Sequence, residues 1–188
     1  MTDIRTPLLS TNVNFVIFEK MDYNLLNGHL NKSASLKLCK WALKDRSHFD
    51  ELVREVLKNE HPRSGVASWA LSEAARQKPE WILKHTGKLL QLLKEKNPHH
   101  TLCRNVFRIY EAVLVTEKHQ SLAFDLAINV VADPKRSIAE RAFAMIMGQK
   151  ITEVHPDLKR ELEMVVEPLL ENGSAGLKVR ARRILKVK

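Results

Sequence analysis

The chain has 188 residues, 44% of them apolar and 28% charged, with only 6 Gly and 7 Pro. That composition excludes wholesale disorder, and no run approaches the roughly 20 apolar residues needed to span a bilayer. The formal charge is +9, yet residues 172–188 carry six basic side chains and no acid, against 25 basic and 22 acidic residues in the remainder. The basicity is thus a C-terminal feature rather than a charged groove running the length of the molecule.

Residues 1–20 stand apart from the rest of the chain. Thr6-Pro7 and Ser10-Thr11-Asn12 are loop chemistry, and Asn14 to Phe18 reads as a short strand or an apolar arm. We read 1–20 as an N-terminal arm, with Met21 as an alternative start, and 21–188 as a single domain. The apolar run Val13 to Phe18 is short and interrupted by Asn14, unlike a signal-peptide core. Cys39 and Cys103 each lie in a helical apolar pattern and read as reduced thiols, so the expected location is cytoplasmic.

From Asp22 onward the periodicity predicts about ten helices, near 22–28, 34–45, 48–59, 63–77, 79–95, 99–114, 117–132, 136–150, 156–171 and 174–187. Their boundaries have local causes. Ser47, with Asp50 three residues on, resembles a capping box. Pro79 and Pro156 suit a first helical turn and are followed by the acids Glu80 and Asp157. Asn172-Gly173 is a stop signal. Gly87 and Gly148 fall inside helices and suggest close approach of a packed neighbour.

A unit recurs along this series. His61-Pro62, Asn97-Pro98 and Asp133-Pro134 are spaced by 36 residues, and Asn172-Gly173 follows 39 after the third. Each precedes an apolar stripe at i, i+4, i+8: Val66/Ala70/Ala74, Leu102/Val106/Tyr110, Ile138/Ala142/Ile146 and Leu177/Ala181/Leu185. Trp41-Ala42-Leu43 echoes Trp69-Ala70-Leu71, which adds a truncated first unit. Such a period indicates helix pairs, A then B, that bury their apolar faces only by stacking on neighbouring pairs.

On these residues the chain resembles the HEAT-repeat family, in which a polar residue ends the A–B turn and a branched aliphatic lies five positions on. His61, Asn97, Asp133 and Asn172 fill the first position, and Val66, Leu102, Ile138 and Leu177 the second. The small residue four positions later is Ala70, Ala142 and Ala181, with Val106 the exception. The family's basic position is met only by Lys178, since Ala67, Cys103 and Ala139 occupy the other three. The resemblance, over about 46–188, implies an all-α, right-handed α-α superhelix of about five HEAT-like helix pairs, and puts the usual inter-repeat side-chain ladder in question.

No catalytic constellation emerges. The chain lacks a Gly-rich phosphate loop, Gly-x-Ser-x-Gly, His-Glu-x-x-His and Cys-x-x-Cys. His99-His100 is the sole adjacent pair among eight histidines and has no suitably spaced Cys or acid, so neither a metal nor a cofactor is expected. The chemistry instead points to arginine. At 100° per residue, the B-helix positions opposite the core stripe are Ser68, Arg104, Glu140 and Val179, followed one turn later by Ser72, Arg108, Ala144 and Arg183. Arg104, Arg108, Arg141, Arg180 and Arg183 would then form a basic stripe able to hold carboxylates or phosphates. The competing reading ties Arg104 to Glu140 and Arg108 to Glu111 as surface ion pairs.

The last helix adds Lys178, Arg182 and Lys186. Trp41, Trp69 and Trp81 read as packing residues, with a base-stacking platform as the alternative. The sequence therefore points to a non-catalytic interaction or scaffold module that binds a protein or peptide partner on the concave face of the B helices. The alternative is a nucleic-acid-binding protein. The chain resembles the HEAT-like alkylpurine DNA glycosylases in architecture, size and charge, with Asp125 and Asp133 as acids near repeat junctions. No membrane association is expected.

Overall fold

The computed structural model describes residues 20–27, 30–95 and 98–187, and the arm expected at 1–20 lies almost wholly outside them. Those residues form an all-α solenoid, with no strand among them. A 3-10 turn at Tyr23–Leu26 precedes α1 (Lys32–Ala42), α2 (Arg46–Leu57) and α3 (Arg63–Gln77). Next come α4 (Pro79–Ile82), a 3-10 turn at Leu83–His85, α5 (Thr86–Glu95) and α6 (His100–Ala112). After a 3-10 turn at Glu117–His119 the chain runs through α7 (Gln120–Ala132) and α8 (Ile138–Val154). It closes with a 3-10 turn at Pro156–Leu158, α9 (Lys159–Val166), α10 (Leu169–Asn172) and α11 (Ala175–Leu185).

The pairing follows the repeat. The A elements are the first 3-10 turn, α2, α4–α5, α7 and α9–α10; the B elements are α1, α3, α6, α8 and α11. Two expected A helices are broken. Pro168, which has no N–H to donate, separates α9 from α10. The 3-10 turn between α4 and α5 carries Lys84 and His85, which both hold Asp50 of α2. The N-cap of α2 also differs from expectation. Asp45, not Ser47, accepts the Ser47 and His48 backbone N–H groups, and the Ser47 hydroxyl donates to the same carboxylate at 2.6 Å.

Helix α3 is the most enclosed element. Gly65, Ala67, Ala70, Ala74 and Ala75 line it, so α1 and α6 approach its backbone closely. Ser68 and Ser72, expected to face solvent, are fully buried there. Their hydroxyls donate to the Gly65 and Trp69 carbonyls at 2.9 and 2.8 Å, which removes the cost of burying them. The stacking itself is apolar: Leu71, Leu102, Val106, Ile109 and Tyr110 are all fully buried. Each such side chain contributes about 1.5–3 kcal/mol of transfer free energy. Gly148 serves the contact of α8 with α9, because a Cβ there would stand 3.2 Å from the Leu162 side chain.

The fourth B helix is out of the expected register. Asp133 accepts the Lys135 backbone N–H at 2.8 Å, and Ser137 and Glu140 form a capping box that starts α8 at Ile138. This turn is longer than those after Pro62 and Pro98, where the helix starts within two residues. The core stripe therefore moves two positions on. Ile138 is 55% exposed and Ala142 and Ile146 only half-buried, whereas Glu140, Ala144, Gly148 and Ile151 face inward. Glu140 and Ala144, read as outward positions, are thus core positions. The Glu140 carboxylate is accommodated by the Ser137 backbone N–H at 2.9 Å and by Arg136 at 3.5 Å.

Side-chain bonds replace the ladder whose basic residues are missing. Asn105 of α6, fully buried, donates to the Ser68 hydroxyl of α3 at 3.0 Å. Arg108 pairs with Glu73 of α3 at 2.6 Å, not with Glu111. Lys150 of α8 donates to the Glu111 carbonyl of α6 at 2.8 Å. Along the A–B turns three imidazoles meet, His61 stacked on His99 at 3.8 Å between centroids and His100 tilted against His99 at 3.9 Å. Trp41 stacks on His48 and Trp81 meets Phe49 edge-on, so both tryptophans pack within the solenoid.

Two measurements probe this frame. Replacing Asn105 by Ala breaks the α3–α6 bond and leaves a small void. Urea denaturation is expected to show a loss of about 1–3 kcal/mol with an unchanged m value. The second concerns pH. Through Nδ1, His99 accepts the Thr101 backbone N–H at 3.3 Å, so it caps α6 only while that nitrogen is unprotonated. Burial, then His100 and His61, hold its pKa below the ordinary value, with Glu140 opposing. Burial lowers His85 as well, against its Asp50 bond. The unfolded chain then takes up protons first as pH falls. The stabilisation is complete above the unfolded pKa of about 6.5 and is lost as pH falls through the folded values. Stability is expected to drop between about pH 7 and about pH 5, and less so in His99→Asn, which keeps a cap acceptor without titrating. An equal drop in both proteins would remove His99 from the account.

Candidate functional site

The B helices pack directly along the stack, α1 on α3, α3 on α6, α6 on α8 and α8 on α11, while successive A helices touch over shorter stretches. Closely spaced axes are what the inside of a curved double layer requires, and the B helices supply the more closely packed side, called the inner wall below. The sequence-derived arginines distribute over this wall unevenly.

Arg104 is half-buried on α6, its Nε donating to Asn105 Oδ1 at 3.4 Å. Burial, then the neighbouring Arg108, lowers its pKa, with Glu140 acting the other way. No ion pair joins Arg104 to Glu140, whose carboxylate is turned to Arg136. Arg108 is neutralised by Glu73. Arg141 points away from the inner wall, and its Nε donates to the Val131 carbonyl at 3.0 Å in the last turn of α7, as a cation at a helix C-terminus does. Arg180 lies 6.0 Å from the Phe143 ring centroid on α8. Arg183, with Ile184, lines two adjoining cavities between α8 and α11, of about 90 and 220 Å3. Lys178 is half-buried, and Arg182 and Lys186 are exposed, with Lys186 closing α11 in the left-handed conformation at φ 54°.

The structure thus gathers Arg180 and Arg183 at the α8–α11 groove, with Arg104 one B helix further along, and assigns Arg108 and Arg141 to intramolecular contacts. Among the described residues no carboxylate lies within ion-pair distance of Arg104, Arg180 or Arg183. The two groove cavities add Met145, Ile146, Gln149 and Thr152 of α8, and Glu153 with Lys159 at their outer end. Phe143 and Gln149 were not singled out by sequence, and Ile146 was read as part of the core stripe. They become visible only through the two-residue shift of α8, which turns the supposed core residue Ile146 toward the groove.

A cavity of about 490 Å3 lies instead at the fourth A–B turn, between His100, Asp133, Lys135, Arg136, Ser137 and Glu140. Its charges engage one another: Arg136 meets Asp133 at 3.6 Å and Glu140 at 3.5 Å, and Ser137 is occupied as a cap. Neither thiol offers a nucleophile. Cys39 and Cys103 are free and buried, and burial pushes their pKa values up to about 11 and about 12. Among the described residues no group of three His, Cys, Asp or Glu is arranged to hold a metal ion. No helix among them is long and apolar enough to cross a membrane.

Neither the curated proteins nor the solved structures include a significant match to this chain. A family model described as a HEAT repeat domain matches residues 23–188, from the first 3-10 turn through α11. With nearly the whole described solenoid covered, the chain belongs to the HEAT-repeat family.

Proposed function

We propose that this HEAT-repeat domain, of a kind that in general mediates protein interactions, is a non-catalytic interaction module whose residues 21–188 act as a single cytoplasmic unit. It takes a protein or peptide partner on the inner wall of B helices. The observation that carries the reading is the arginine set of that wall: among the described residues Arg104, Arg180 and Arg183 have no acidic partner, and two of them border a groove of mixed polar and apolar lining. Arginine forks left unpaired beside a groove suit carboxylates, and the Ile146 and Ile184 side chains suit an apolar anchor between them. The partner segment is therefore acidic with an apolar residue at its centre. Lys178, Arg182 and Lys186 extend the positive field and speed encounter rather than fix the pose.

The nucleic-acid reading has less behind it. Asp125 is exposed on α7, on the A side, and Asp133 is engaged at its turn, so neither acid joins the inner arginines. Trp41 and Trp81 are committed to packing. A peptide library displayed on phage and selected on the immobilised chain tests the proposal. Enriched peptides are expected to carry Asp or Glu around Leu, Ile or Phe. Their affinity is expected to fall about tenfold or more, some 1.4 kcal/mol, in Arg104→Ala/Arg183→Ala with the melting temperature unchanged. Enriched peptides without acids, or affinity indifferent to both arginines, would overturn it. A labelled DNA duplex run in parallel separates the rival, which requires steeply salt-dependent binding that also needs Arg104.

A further inference from the structure

The outer face of α11 is covered by no described element. Ala175, Val179, Arg182 and Lys186 fall on one line at i, i+4, i+7 and i+11, with Arg183 beside it, and all are exposed. Val179 is 45% exposed, an apolar residue at the centre of a cationic helix face. Among the described residues no carboxylate pairs with Arg182, Arg183 or Lys186. Arg183 and Lys186 also line the α8–α11 groove with Arg180, whereas Ala175, Val179 and Arg182 do not.

A surface of the opposite character lies on the edge where B helices lead into the next A helices. Phe124 of α7 and Leu158 floor a slot of about 330 Å3, and Glu117, Asp125 and Glu161 stand around it, all exposed. Its walls are fixed before anything binds. His155, at the C-cap of α8, meets the Gln120 side-chain oxygen at 2.6 Å, and the Gln120 amide donates to the Val115 carbonyl at 3.0 Å. Among the described residues no cation pairs with any of the three rim carboxylates. Several acids elsewhere do have partners: Asp50 holds Lys84 and His85, Glu55 holds Lys58 and Arg63, and Arg160 bridges Glu163 and Glu167. An apolar floor ringed by unpaired carboxylates is complementary, in charge and in its apolar centre, to a helix face with a valine among unpaired cations.

We infer that the slot between α7 and α9 receives the outer face of α11 from a second copy of this chain, with Val179 over Phe124 and Leu158 and with Arg182, Arg183 and Lys186 against Glu117, Asp125 and Glu161. Slot and helix face are different surfaces of one molecule, so the contact is heterologous and leaves each end of a pair free to continue. Copies add head to tail, and mass rises with concentration instead of stopping at a dimer. The rim pairs are exposed, so the association weakens as salt shortens the range of the charges. It does not require the inner-wall reading, although both use Arg183, which borders the groove as well as this face.

Sedimentation velocity on the full chain tests this. At about 0.05 M salt the weight-average mass is expected to climb above the 21.6 kDa protomer as concentration rises, and to return to it at about 0.5 M. Reversing the slot (Asp125→Lys/Glu161→Lys) or the helix face (Arg182→Glu/Lys186→Glu) is expected to weaken self-association about tenfold or more in each protein alone. Mixing the two reversed proteins makes both contacts complementary again, wild-type helix face on wild-type slot and reversed face on reversed slot, so copies alternate and the mass of the mixture rises with concentration while neither protein alone does so. Because the pairing is read from the mixture, a variant that merely failed to fold would not produce it. A wild-type chain that stays at protomer mass at low salt, self-association that survives either reversal, or reversed proteins that ignore each other would each overturn the inference.

Discussion

The structure depends on one constraint: each B helix must lie close enough to the preceding B helix to exclude water along its whole length. No single helix pair has enough apolar surface to be stable alone, so the fold exists only as a stack. Helix α3 meets the constraint in the plainest way, by giving up large side chains. Its alanines, glycine and back-bonded serines make it a thin rod that two neighbours can touch at once. Helices α6 and α8 then supply the bulk, with Tyr110, Phe107 and Met145 filling the space α3 leaves open. Arg104 is half-buried because the same close approach draws its flank toward the neighbouring helix. The stacking that builds the inner wall thereby strips water from the residue proposed to act there.

The polar contacts obey the same rule. Arg108 and Glu73 are 35 residues apart, Asn105 and Ser68 are 37, Lys150 and Glu111 are 39. Each joins equivalent parts of adjacent B helices at about one repeat period. This also explains why charge pairs within one helix were the wrong place to look for the arginines' partners. Residues three or four apart are neighbours on an isolated helix, but in a stack the residue one period away presents a more buried and better-aligned partner. Searching the sequence at a lag near 36 would have found Glu73 for Arg108.

Much of the fold was legible because the same physics is repeated. The stripes Val66/Ala70/Ala74 and Leu102/Val106/Tyr110 lie where their spacing puts them, and Leu177 and Ala181 do the same. The fourth unit was misread for an equally physical reason. A turn of Asp133 to Ser137 that bonds to itself delays the helix by two residues, and two residues on a helix carry an inward side chain to the far side. Ile138 looks like a core aliphatic and is a solvent-exposed first-turn residue; Glu140 looks like a surface acid and is buried behind Arg136. Period alone cannot detect this, since the apolar residues of α8 occur on both sides of it. The breaks at Leu83–His85 and Pro168 were likewise hidden within continuous apolar patterns.

Charge balance along the sequence and charge arrangement in space give different accounts of this protein. By composition, positive charge collects in the last helix and the remainder is close to neutral. In three dimensions that remainder separates into paired and unpaired groups. Asp50 and Glu55 of α2, Glu73 of α3 and Glu163 of α9 are matched, while the acids around Phe124 and Leu158 and Arg104, Arg180 and Arg183 of the inner wall are not. Unpaired charges of one sign held close together raise the free energy of the isolated molecule by mutual repulsion, and a ligand of the opposite sign relieves it. Since Glu117, Asp125 and Glu161 come from three different elements that meet only when the fourth and fifth pairs stack, their proximity is a property of the assembled solenoid. Arg180 and Arg183 likewise meet the α8 side chains only when the last pair stacks on the one before it. Association through either surface would therefore favour the stacked state over any partly unstacked one, linking binding to the contact on which the fold already depends.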